Sequence, residues 1–102
     1  MDYIHRVIEI RETTVFAAWF GALRDALAKA RILTRIRRLS LGNRGDTKPV
    51  GHGISELRID YGPGYRVYLV HQGATLVILL AGGDKGTQRQ DIAQARELAQ
   101  RL

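Results

Sequence analysis

Apolar and polar residues alternate with period two along Glu56-Leu57-Arg58-Ile59-Asp60-Tyr61 and again along Tyr65-Arg66-Val67-Tyr68-Leu69-Val70, with Gly62-Pro63-Gly64 between them. Such alternation predicts two antiparallel strands, because successive side chains point to opposite faces of a sheet, and a three-residue loop containing Gly is a common hairpin connection. Pairing Tyr61 with Tyr65 puts Leu57, Ile59, Tyr61, Tyr65, Val67 and Leu69 on one face, which is the core face. Glu56, Arg58, Asp60, Arg66, Tyr68 and Val70 share the other. In that register Arg58 stands opposite Tyr68 and Asp60 opposite Arg66, so two guanidiniums and a phenol gather on a rigid surface. The plainer alternative is a solvated sheet face whose Asp-Arg pair contributes a fraction of a kcal/mol.

The remaining pattern supplies what covers the hairpin. Ile4, Val7, Ile8 and Ile10, interleaved with His5, Arg6, Glu9 and Arg11, predict a short opening strand. Thr13 or Thr14 then caps a helix whose Phe16, Trp19, Phe20 and Leu23 fall at helical spacing and point inward. A second helix runs from Asp25 to Leu41, with Ala26, Leu27, Ala30, Leu33, Ile36 and Leu39 on its inner side, and Gly42-Asn43 ends it. Residues 43–53 read as loop because Gly, Asn, Asp and Pro interrupt any periodicity. Thr75-Leu76-Val77-Ile78-Leu79-Leu80-Ala81 is an unbroken apolar run, the signature of an interior strand buried on both faces. One face belongs to the helical hairpin. The other needs the last segment, where Thr87 and Gln90 form a capping box ahead of Ile92, Ala95, Leu98, Ala99 and Leu102. The expected order is β-α-α-β-β-β-α: an α+β domain spanning 1–102, with a mainly antiparallel sheet.

Composition narrows the function. With 45% hydrophobic and 25% charged residues the chain is globular rather than disordered, and no apolar run approaches the about 18 to 20 residues of a membrane span. The first six residues lack the layout of a signal peptide and there is no cysteine, so the expected setting is cytoplasmic, without membrane association. A formal charge of +6 favours a polyanionic or acidic partner. Arg31, Arg35 and Arg38 form a stripe on the outer side of the second helix, suited to tracking RNA phosphates, or else a solvated face. Lys48 and the glycine-flanked His52 approach the polar hairpin face from the loop. His52 has the reference pKa suited to proton transfer near pH 7. No metal-ligand grouping or Ser-His-Asp arrangement is visible, and Gly82-Gly83-Asp84-Lys85-Gly86 fits neither standard nucleotide-binding glycine motif, so no cofactor is expected.

Residues 56–68, read as Glu-Leu-Arg-Ile-Asp-Tyr-Gly-Pro-Gly-Tyr-Arg-Val-Tyr, and 79–88, read as Leu-Leu-Ala-Gly-Gly-Asp-Lys-Gly-Thr-Gln, resemble the addiction-module killer protein family of the RelE/ParE toxin superfamily. The resemblance is strongest from Lys48 onward and follows the element order over the whole chain. It implies a RelE/ParE-like fold and a toxin held inactive by a cognate antitoxin, often a helix-turn-helix protein. It also implies mRNA cleavage, typically on the ribosome. Arg58, Arg66 and Lys85 match the family's ELR, YRV and GGDK motifs and are the expected cationic site residues. The tyrosine or histidine that RelE-type sites carry near the C-terminus has no counterpart after His71, which leaves Tyr68 or His52 to move protons. Flanking arginines are expected to lower the Tyr68 pKa. Two alternatives remain open at this point: a ParE-like DNA gyrase inhibitor without catalysis, and a module that binds only its antitoxin.

Overall fold

A computed structural model describes residues 7–102, so the Ile4 end of the expected opening strand lies outside the described residues. The elements are β1 (Glu9–Glu12), α1 (Thr14–Ala22), α2 (Ala26–Ser40), β2 (Thr47–Pro49), β3 (Ile54–Ile59), β4 (Tyr65–Gln72), β5 (Leu76–Gly83) and α3 (Gln88–Gln100), with one 3-10 turn at Lys85–Thr87 leading into α3. They form an α+β domain around a five-stranded mixed sheet of order β1-β5-β4-β3-β2. β1 runs parallel to β5, and the other neighbours are antiparallel. Among the described residues no helix is long and apolar enough to cross a membrane.

The segment expected to be all loop contains the edge strand β2, paired as Thr47↔Leu57, Lys48↔Glu56 and Pro49↔Ser55. An edge position tolerates Pro49, whose missing N–H weakens only an outer ladder.

Two caps set the helices on one face of the sheet. The Thr13 hydroxyl accepts from the Phe16 N–H at 3.0 Å and donates to the Leu80 carbonyl at 2.7 Å, so the residue that starts α1 also ties it to β5. Asp25 starts α2 by accepting from the Leu27 and Ala28 N–H groups at 3.0 and 3.1 Å. These bonds and one from Tyr61 hold the Asp25 carboxyl below its usual pKa, with the Ala28 bond the largest cause. Phe16, Ile32 and Leu39 then pack against Leu57, Ile59, Val67, Leu69, Val77 and Leu79, with Trp19, Phe20 and Leu23 half-buried at the edge.

The inner stripe of α2 is Ala28, Ile32, Ile36 and Leu39 rather than the expected set beginning at Ala26 and Leu27. Leu27 and Leu33 are each 52% exposed. A helix turns about 100° per residue, so each of these leucines sits a quarter-turn or more from its buried neighbour, and α2 has more aliphatic residues than its contact with the sheet can use.

The opposite face carries a second core, in which Ile54, Tyr68, Ile78, Leu80, Ala81 and Ala95 pack together beneath α3, joined by Ile92, Leu98 and Ala99. A bulge lets Tyr68 pair with Ala81 while Leu69 pairs with Leu79, which turns both Leu80 and Ala81 toward α3. The all-apolar run of β5 is therefore buried on both sides.

The strand ends on two glycines with separate reasons. A Cβ at Gly82 would collide with the Trp19 ring on the α1 side, and one at Gly83 would collide with Asp91 and Thr87 on the α3 side. The capping box forms one turn earlier than expected: Asp84 accepts from the Gly86 N–H at 2.7 Å and donates its own N–H to the Thr87 hydroxyl. Thr87 makes no side-chain cap to α3 because its hydroxyl is spent on Asp84 and on Asp91.

Candidate functional site

The hairpin keeps the expected faces and changes the expected partners. Its observed register is Glu56↔Tyr68, Leu57↔Val67, Arg58↔Arg66 and Ile59↔Tyr65, two residues away from pairing Tyr61 with Tyr65. The connection is the five residues 60–64, not three. Tyr61 leaves the strand because its hydroxyl donates to Asp25 at 2.9 Å and its ring lies 4.9 Å from the Arg31 guanidinium. Gly62 and Gly64, with φ of 57° and 81°, supply the left-handed turn that this detour needs. Since the shift is even, the inward and outward sets survive. The Asp60-Arg66 and Arg58-Tyr68 oppositions do not.

The consequence is that Arg58 and Arg66 face each other directly across two strands, an arrangement that like charges disfavour. Each has found a carboxylate. Arg58 directs Nε and Nη2 at Asp46 Oδ1, at 3.3 and 3.0 Å, in an exposed pair. Arg66 donates Nη1 to Glu56 Oε1 at 2.9 Å in an enclosed one, its side chain 12% exposed against 0% for Glu56. Lys85, on the turn after β5, closes over the hairpin loop, with its Cβ beside Gly64. Arg58, Arg66 and Lys85 thus line one cleft of about 370 Å³ together with Asp46, Ile59, Asp60, Gly64 and Tyr65.

Below this cleft lies a polar group that sequence patterning did not single out. Glu56 is fully buried and accepts three hydrogen bonds: from Arg66, from the Tyr68 hydroxyl at 3.1 Å, and from Gln88 Nε2 at 2.7 Å. Tyr68 is equally buried, and burial, followed by the Glu56 charge, pushes its phenol well above the ordinary range. This reverses the expected effect of the arginines, because Tyr68 donates to an anion, which favours the neutral phenol. Tyr68 is a structural prop of Glu56 rather than a proton acceptor at neutral pH. We expect Tyr68→Phe to keep any activity of the cleft within about tenfold of wild type from pH 6 to 9. A loss as deep as that of an Arg66 variant, read by the same assay, would restore the phenol to the chemistry.

The family model described as Phage derived protein Gp49-like (DUF891) matches residues 18–102, which include every residue of the cleft and its buried support. The chain belongs to the Gp49-like family. Over 95 residues it is also 57% identical to an uncharacterized protein of Haemophilus influenzae, an alignment covering 93% of this chain and 96% of the relative.

Other expected site residues of this Gp49-like chain lie elsewhere. His52 occupies the β2–β3 turn at φ 58°, exposed, at the opposite end of β3 from the cleft. The strand from Ile54 to Arg58 alone spans about 13 Å, and His52 is not among the residues lining this cleft. Lys48 is exposed on β2, opposite Glu56 and on the same sheet face as the cleft arginines. Arg31, Arg35 and Arg38 line a neighbouring groove of about 450 Å³ with Leu27, Ala30, Thr34, Ile59 and Asp60. Arg35 is not on an outer stripe: it is half-buried and donates Nη1 to the Arg58 carbonyl at 3.0 Å. Groove and cleft share Ile59 and Asp60, so the two cationic groups meet along one rim. Asp60 itself forms no ion pair among the described residues.

Proposed function

We propose that the Arg58-Arg66-Lys85 cleft holds a phosphate of RNA and that the chain is a RelE/ParE-like toxin that cleaves mRNA without a metal. The observation that carries this reading is the convergence of three cations from three separate segments into one cleft, with two of them directly opposed across a ladder. The partner of Arg58 is the exposed Asp46, which another anion can replace, and planar guanidinium forks match phosphate oxygens.

In this mechanism the ribose 2′-oxygen attacks the adjacent phosphorus. A P–O2′ bond forms, the P–O5′ bond breaks, and the leaving 5′-oxygen takes a proton from water, so a 2′,3′-cyclic phosphate and a 5′-hydroxyl result. The protein stabilises charge growing on the non-bridging oxygens, with Arg58 exchanging its exposed Asp46 partner for phosphate and Lys85 adding a mobile charge. Asp60, on the rim without an ion-pair partner, is placed to take the 2′-hydroxyl proton. A carboxylate is a weak base at neutral pH, so electrostatic stabilisation carries most of the acceleration. Arg31, Arg35 and Arg38 continue the path for the RNA backbone, and Lys48 flanks it on the sheet edge.

The proposed setting is the cytoplasm, with mRNA, free or presented by a ribosome, as substrate and a helix-turn-helix antitoxin as the inhibiting partner. Association with that acidic partner should slow as salt rises, because charge steering is screened. The test is to induce the chain alone in a bacterium and follow mRNA ends and plasmid supercoiling together. New mRNA ends with unchanged supercoiling are expected. Intact mRNA with altered supercoiling would replace this reading by gyrase inhibition.

A further inference from the structure

We infer that Glu56 is the positioning residue of the cleft, fixing the Arg66 guanidinium so that its unspent edge is presented to a phosphate oxygen. The inference rests on the reading of the cleft as a phosphate site and adds a residue that is neither exposed nor in contact with the ligand.

Glu56 is fully buried, so water cannot compensate its charge, and its three acceptor bonds come from β4 and α3. Oε2 takes Tyr68 and Gln88, which lock the carboxylate in place; Oε1 is left for Arg66. Arg66 spends Nη1 on this bond, while its Nε is buried and has no acceptor among the described residues. Nη2 has no hydrogen-bond partner among the described residues either and, unlike Nε, is not buried, so it is the donor that an oxyanion in the cleft can reach.

Arg66 also has Arg58 directly opposite. Without a fixed counter-charge the two would repel, and the Glu56 bond is what holds Arg66 in place. Gln88, the first residue of α3, is part of the same lock, so the start of α3 helps to set the aim of a β4 side chain.

The experiment uses the full chain and Glu56→Gln, which keeps shape and hydrogen-bonding capacity but removes the charge. Two readouts are taken: the Arg66 Nε–H signal by NMR, with inorganic phosphate as probe, and the rate of RNA cleavage. In wild type, Arg66 should give a slowly exchanging Nε–H that shifts on adding phosphate. In Glu56→Gln that signal should broaden, the phosphate response should weaken at least tenfold, and cleavage should fall about 100-fold, the scale of a misplaced catalytic group. The double variant Glu56→Gln with Gln88→Glu returns a carboxylate to the other side of the same hydrogen bond and should recover part of both losses. A merely structural role would move the melting temperature without that recovery. If Glu56→Gln does not fold, Glu56→Asp, which withdraws the carboxylate by one methylene, carries the same readings. An Arg66 signal and phosphate response unchanged in a folded Glu56 variant would overturn the inference. A wild-type chain that binds phosphate through Arg66 but cuts no RNA would instead overturn the proposed reaction and leave the positioning role standing.

Discussion

Arg66→Ala is expected to lower RNA cleavage by roughly two to three powers of ten, the scale of removing one donor to a developing oxyanion. Arg66 is the most enclosed of the three cleft cations and the one held by a buried carboxylate. The same enclosure gives the substitution a second effect. It strands Glu56 without its cation, and breaking a buried ion pair from one side costs about 3 to 5 kcal/mol. The cleavage rate must therefore be normalised to folded protein, measured by circular dichroism under the assay conditions. Arg66→Lys separates the two effects. It keeps a counter-charge for Glu56, so most stability should return, yet an ammonium cannot reproduce a planar fork and cleavage should stay more than about tenfold low. Full activity in both folded variants would remove Arg66 from the site and leave Arg58 and Lys85 as its cations.

Phe16→Ala should give the largest loss of stability without touching the cleft, about 3 to 5 kcal/mol, from lost burial and the cavity left behind. Phe16 is 2% exposed, stacks on Phe20 at 6.0 Å and tilts against Trp19 at 5.7 Å. The whole stability of a domain of this size is of order 5 to 15 kcal/mol, so the variant should lose a large share of it. Phe20→Ala should cost less, because Phe20 is only half-buried and its ring also meets Lys29 at the surface. Urea melts of the two variants check the order. A loss under about 1 kcal/mol for Phe16 would mean that α1 does not seat on the sheet as described.

The parts of this fold that were legible in the sequence are those set by period and by local caps. Alternation through residues 56–70 correctly divided the hairpin into two faces, Thr13 and Asp25 marked helix starts, and the apolar run from Leu76 read as an interior strand. Register was not legible, because it depends on Tyr61 leaving the strand to meet Asp25, a residue 36 positions away. Gly62 and Gly64 were compatible with either loop length. The inner stripe of α2 is obscured because eight aliphatic positions compete for a narrow contact, and Arg35 reads as a surface residue until the Arg58 carbonyl is placed beside it.

The candidate site divides the same way. Arg58, Arg66 and Lys85 came from motif resemblance, and the cleft brings all three together. Glu56 was missed because an alternating strand assigns a glutamate to solvent by default. The signal available was its place two residues before Arg58 on the arginine-bearing face, beneath a strand and helix rich in small residues at Ala81, Gly83 and Ala95, which let α3 approach closely enough to bury it. Tyr68 is a candidate proton carrier only as a substitute for the missing C-terminal tyrosine or histidine, and the lowering expected from the arginines is outweighed by its burial and by the Glu56 charge beside it.

The most direct test of the central claim is the chemistry of the RNA ends left by purified chain in the presence of a chelator, with and without ribosomes. Attack by the ribose 2′-oxygen without a metal predicts 2′,3′-cyclic phosphate and 5′-hydroxyl termini, made by wild type and more than about tenfold fewer with folded Arg66→Lys. Uncut RNA under both conditions, or cuts that vanish with the chelator, would contradict it.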